Sequence, residues 1–379
     1  MTVGTTNTAA AIAAKMFSMR WIPFALIAAG CEDILSKDPG LGYTDGEAVT
    51  ESGVAEIRVD ITGSDSSFLL TADGDHYVAV DEIRDPDGRQ VFHWDDWYSE
   101  PTSLTSAVWP LDNEMVLNWP IRGEEADLSP GTWTVTLAAI EPSTGAYQNG
   151  SKIDYTVQTK EDPSFNNANV SVRLVYTEGV DDLGEVTEAV DAAIERWIDI
   201  WAPMGLTPVV RQTSSSLDGD LPYAGNGSES IYETTLDSFE DEITLIFGET
   251  IDGSNDYLGV AGSIPGTLTA NTRSAVVMGW IANAGADGRF SELDISIMGE
   301  TMAHEVGHFM GLFHPVEQSF DRWDACDDTP QCTSSSVCED QLGSNLMYPA
   351  PVCDLTTCIE QGDLSDVQVE ILQRYTGAL

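Results

Sequence analysis

Three of the five histidines in this chain, His304, His308 and His314, stand in one short stretch, ETMAHEVGHFMGLFHP, from Glu300 to Pro315. A neutral imidazole is a ready ligand for a transition metal near neutral pH, so a spaced cluster raises the question of a metal first. His304 and His308 are four residues apart, which on a helix turns both rings to one side. Two such rings can share one tetrahedral Zn²⁺ at about 2.0 to 2.1 Å. Gly311 follows where a helix needs a left-handed residue to stop, so the chain can reverse and return His314 to the same ion. Three protein ligands leave a coordination place for water, the catalytic arrangement rather than the closed structural one. Glu305, one residue past the first ligand, is placed to take a proton from that water as it attacks a polarised carbonyl, and to pass it to a leaving amine.

The string HEVGHFMGLFH resembles the H-E-x-x-H-x-x-G-x-x-H signature of the metzincin zinc peptidases in every fixed position. That resemblance implies a peptidase with a methionine turn beneath the metal, and SNLMYP supplies Met347 for it. DDTPQC between motif and turn, and LSDVQVEILQRY after them, are similar to the pappalysin-like branch, as is GVAGSIPG upstream. In several metzincins a Tyr two places beyond the turn methionine approaches the reacting centre. Here Tyr348 follows Met347 directly and Pro349 takes the second place, so Tyr348 stands only as a secondary candidate.

A helix must carry the motif, and Ser291 with Asp294 three residues on marks its start. Upstream, Leu183, Val186, Val190, Ile194, Trp197 and Trp201 recur at helical spacing. VSVRLVY, LTPVVRQ, EITLIFG and SAVVMGWI read as strands, the last as the edge along which an extended substrate pairs. Residues 167–379 are therefore expected to form an α/β (α+β) catalytic domain, for which the metzincin resemblance implies a mixed twisted sheet, an active-site helix and a Met-turn. Residues 54–160 show period-two runs such as AEIRVDITG and KIDYTVQT between turn signals, the pattern of an all-β sandwich; SPGTWTVTLAAI also resembles a late strand of bacterial pre-peptidase-type sandwich domains. The chain is thus expected to be multidomain, with 32–53 as a linker. The sandwich could serve as an accessory module or cover the cleft. His76 and His93, isolated within it, read as structural.

The N-terminus reads as an export signal: Lys15 and Arg20 precede WIPFALIAAG, too short a run to span a bilayer. IAAGC resembles a bacterial lipobox, which implies lipidation of Cys31, although Ala28 stands where Leu is usual. The remaining cysteines, Cys326, Cys332, Cys338, Cys353 and Cys358, fit two local disulfides with one thiol left over in an oxidising compartment.

Composition limits the partners. With 63 acidic against 16 basic residues the net charge is -47, which repels nucleic acid and anionic lipid. Ten Trp, eleven Tyr and eleven Phe among the acids speak for a folded, solvated surface; oxygen-ligated Ca²⁺ is a further use for the carboxylates, without a motif to support it. The expected function is a secreted or lipid-anchored zinc endopeptidase acting on proteins or peptides. The alternative is a surface-anchored binding lipoprotein with an inactive or non-peptidase zinc domain.

Overall fold

The computed structural model describes residues 41–95, 113–123, 125, 127–161, 165, 167–285, 287–353 and 357–379. The signal-like segment ending at Cys31 lies outside them.

Among the described residues nine strands fill the first part: β1 (Leu41–Val49), β2 (Val54–Ile61), β3 (Ser67–Gly74), β4 (Tyr77–Arg84), β5 (Gln90–His93), β6 (Glu114–Trp119), β7 (Gly131–Glu141), β8 (Ala146–Tyr147) and β9 (Lys152–Lys160). They form two antiparallel sheets, ordered β1-β9-β3-β6 and β2-β7-β4-β5, with β8 beside β7. Alternate side chains from both sheets, among them Ile57, Phe68, Leu70, Leu117, Trp133 and Val135, make one buried cluster. Each large aliphatic side chain so enclosed contributes roughly 1.5–3 kcal/mol.

Residues 41–49 correct the expectation of a linker. They pair with β9 along their whole length, and their polar, half-exposed composition is that of an edge strand. Strand β3 lacks visible alternation because both of its faces are covered. Phe68 and Leu70 point into the first core, while Leu69, with Val116 of β6, enters the core of the following α/β region. Polar contacts seal that junction: Thr71 Oγ1 and Thr267 Oγ1 are 2.6 Å apart, and buried Asn118 accepts from the Thr376 amide at 2.9 Å.

The α/β region contains β10 (Ala168–Tyr176), α1 (Gly184–Trp201), β11 (Leu206–Ser214), β12 (Asp220–Leu221), α2 (Glu229–Thr235), β13 (Ile243–Gly248), β14 (Thr250–Ile251), β15 (Gly259–Ala261), β16 (Ala275–Gly279), α3 (Trp280–Asn283), α4 (Glu292–Phe309), α5 (Ser335–Leu342) and α6 (Asp366–Arg374). Its main sheet runs β11-β10-β13-β16-β15, with the first four strands parallel and β15 antiparallel. Buried side chains of α1 and α4, including Val190, Trp197, Met302 and Val306, pack with Leu174, Leu245 and Val276 of the sheet.

The SAVVMGWI strand is not the edge. β16 is paired on both sides, by β13 and β15, which is why its residues are all buried. The edge on this side of the sheet belongs to β15, a three-residue strand within GVAGSIPG, and the opposite edge to β11.

Candidate metal centre

Helix α4 begins with the expected capping box: the Asp294 amide donates to Ser291 Oγ at 3.2 Å and the Ser291 amide to Asp294 Oδ2 at 2.8 Å. It ends at Phe309, and Gly311, at φ 116, turns the chain back through a conformation open mainly to glycine. His314 thereby returns to the helix face that carries His304 and His308.

The three rings meet. Their candidate ligand atoms all lie within 4.8 Å of one another, and Nε2 of His308 is 3.1 Å from Nε2 of His314. Two nitrogens bound tetrahedrally to one ion at zinc distances stand about 3.3 Å apart. The tautomers follow from the far side of each ring. His304 Nδ1 is 2.7 Å from the Leu346 carbonyl oxygen and His308 Nδ1 is 2.6 Å from that of Leu312. A carbonyl only accepts, so each Nδ1 carries the proton and each Nε2 presents a lone pair. Nδ1 of His314 donates to the Glu317 carboxylate at 3.3 Å. Lone pairs converging at such distances repel one another unless a cation lies between them, and the residues therefore fit a divalent ion. Burial, with the neighbouring histidine, pushes His304 down to about 3, and His308 is also held well below its usual range. Both rings are thus neutral at physiological pH.

Glu305 stands beside this focus. Its Oε2 accepts from the Ala261 amide of β15 at 2.9 Å, and burial raises its pKa to about 8. Met347 is fully buried beneath the helix: a Cβ on Gly307 would lie 3.0 Å from its sulfur. Tyr348 lies mainly in a small core with Val316, Cys332, Cys338 and Leu342, with its edge on a smaller groove that His304 and Glu305 also line.

The rings and Glu305 line a cleft of about 810 Å³ whose walls include Tyr223, Tyr257, Val260, Ile264 and Phe313. Tyr223 and Tyr257 meet edge to face at 5.4 Å. No described residue before Tyr223 lines the cleft, so the described part of the N-terminal sheets does not cover it. His76 and His93 are remote from the trio: His76 contacts Ser151 and His93 contacts Asp95.

Cysteines pair as Cys332–Cys338 and Cys353–Cys358, leaving Cys326 as a buried thiol. Among the described residues no helix is long and apolar enough to cross a membrane. Sequence reasoning missed Glu317, Leu312, Leu346 and Ala261, three of which act through backbone groups that no residue type advertises.

No family model and no curated protein matches the sequence. Among solved structures, the chain is similar to archaemetzincin from Methanopyrus kandleri, with 15% identity over 55% of this chain and 88% of that one and a TM-score of 0.29. It is also similar to metalloproteinase-II from Bacteroides fragilis, with 14% identity over 58% and 62% and a TM-score of 0.34. A chain of a chaperone-substrate complex matches at 15% identity over 56% and 35%, with a TM-score of 0.29. At these scores the likenesses carry no weight in assigning a reaction, and the residues of the site must do so.

Proposed function

We propose that the protein is a zinc-dependent endopeptidase. The supporting observation is the convergence of three imidazoles whose protonated nitrogens are turned outward onto two carbonyls and a carboxylate, next to a buried glutamate. His304, His308 and His314 would hold the ion. When bound, a zinc ion supplies Lewis acidity, polarising the scissile carbonyl and making water in the site easier to deprotonate.

The chain's own groups supply the rest. Glu305 removes a proton from the attacking water as its oxygen bonds to the carbonyl carbon. It returns that proton to the amide nitrogen as the C–N bond breaks. The burial that raises its pKa suits a group that must both take and give a proton near neutrality, and a neighbouring cation favours the ionised form that starts the cycle. The outward amide and carbonyl of Gly259 and the carbonyl of Ala261, on the edge strand β15, offer an extended peptide a strand to pair with, while the Ala261 amide is held by Glu305. In this reading Met347 is the floor of a Met-turn, the paired N-terminal sheets are an accessory β-sandwich, and the chain is exported and lipidated at Cys31, as in a pappalysin-like lipoprotein.

The test compares parent and Glu305→Ala for zinc content and for hydrolysis of an unfolded protein, with and without a chelator. Loss of hydrolysis with zinc retained in the variant, and loss in the parent on chelation, are expected. Equal turnover by parent and variant overturns the assignment and favours a zinc domain used only for binding.

A further inference from the structure

We propose that Gln368, which touches none of the three imidazoles, is a positioning residue for the metal centre. It sits in the first turn of α6 and is fully buried. Its Oε1 accepts from Asn345 Nδ2 at 2.8 Å and from the Ser365 amide at 3.0 Å, and its Nε2 faces Asp324 Oδ2 at 3.5 Å. Asn345 Oδ1 in turn accepts from the Met347 amide at 2.9 Å. Between Asn345 and Met347 lies Leu346, whose amide donates to the Asp363 carbonyl at 2.7 Å and whose own carbonyl holds His304 Nδ1 at 2.7 Å.

One buried amide thus joins three segments distant in sequence: the Asp324–Thr329 loop, the Asn345–Met347 turn and the start of α6. The Thr329 hydroxyl donates to Asp324 Oδ1 at 2.5 Å and fixes the far end of the chain of contacts. Helix capping alone does not require this arrangement. A capping box needs one oxygen at the third helical position, and exposed glutamate supplies it. Here the oxygen takes a second donor from the turn, and the amide nitrogen reaches a third segment. The orientation of a ligating imidazole is set by the partner of its other nitrogen, and removal of such outer partners commonly weakens metal binding 10- to 100-fold. Gln368 acts one step further out, by fixing the backbone that supplies the partner.

The inference rests on the reading of the three histidines as a zinc site. Its test measures zinc affinity of the full chain by chelator competition, and the melting temperature of the metal-free protein, for the parent, Gln368→Leu, Asn345→Asp and Ile371→Ala. Ile371 is buried on the same helix but lies outside the hydrogen-bonded chain. Asn345→Asp keeps the acceptor for Met347 and loses the donor to Gln368, and it decides the matter should Gln368→Leu not fold. The expected result is at least a 10-fold loss of zinc affinity in both polar variants, with Ile371→Ala lowering the melting temperature while its affinity stays within about twofold of the parent. The inference is overturned if the polar variants bind zinc as tightly as the parent, or if Ile371→Ala loosens zinc equally. A parent that binds no zinc overturns the metal site itself, a distinct outcome.

Discussion

The Ala261 amide and the Glu305 carboxylate, 2.9 Å apart, tie the edge strand of the sheet to the group proposed to handle the proton. Gly262 and Leu258 bond to β16, so in an antiparallel ladder Gly259 and Ala261 face the cleft. The strand proposed to align a substrate therefore also positions Glu305.

Gly259 offers a way to disturb that aim without touching a ligand. A Cβ there would lie 2.7 Å from Glu305 Cγ and 3.2 Å from Thr301 Cγ2. The glutamate must swing aside, and displacement of a catalytic group by about 1 Å can cost on the order of 100-fold. Gly259→Ala is expected to lower kcat by at least about 10-fold while zinc affinity stays within about twofold. Steady-state kinetics beside metal titration read both, and an unchanged kcat would show that Glu305 tolerates the crowding.

Glu317 orients His314 from outside the cluster of three imidazoles. Replacing it with Ala removes the acceptor on Nδ1 and frees the ring to turn, so zinc should bind roughly 10-fold more weakly. Glu317→Gln keeps an oxygen there and should restore most of the loss. Chelator competition distinguishes the two, and equal affinities for parent and Glu317→Ala would remove the residue from the site.

How far these relationships could be read in advance depended on their range. The helix, its Ser291 cap and the Gly311 bend are set by residues within a few positions of one another, and spacing displays them. The edge strand was misplaced because β16, apolar throughout, gives a far louder signal than the three residues of β15. Strand β3 escaped because two cores cover its two faces and erase the alternation, and β1 because an edge strand needs little apolar content. The Leu346 carbonyl and the Gln368 amide enter the site only through tertiary contacts, which local spacing does not encode.

Tyr348 tests the tyrosine role that the metzincin resemblance of the sequence suggests. Most of its ring is enclosed with Val316 and the Cys332–Cys338 disulfide. Removing the hydroxyl leaves that packing whole, so Tyr348→Phe is expected to keep kcat within about twofold of the parent. Tyr348→Ala should instead destabilise the protein by roughly 3 kcal/mol, as truncation of a buried aromatic ring does. A large fall in kcat for Tyr348→Phe would mean that the phenol reaches the reacting carbonyl after all.

Asp324 gives stability a pH dependence of definite sign. Burial, the largest influence, raises its pKa from 3.8 to about 6, against the pull of its hydrogen bonds to Thr329 and Cys326. Between about pH 4 and pH 6 the folded chain holds this proton more tightly than the unfolded chain does, so its contribution favours folding at the acid end and is lost as pH rises through 6. Above that the buried charge costs roughly 3 kcal/mol, the free-energy equivalent of the shift. Asp324→Asn cannot titrate, and relative to the parent it should therefore gain stability steadily from pH 4 to pH 6 and level off above. Urea unfolding of the metal-free proteins at several pH values measures the difference. A gap between parent and variant that does not change with pH would show that Asp324 titrates in the fold as it does in water.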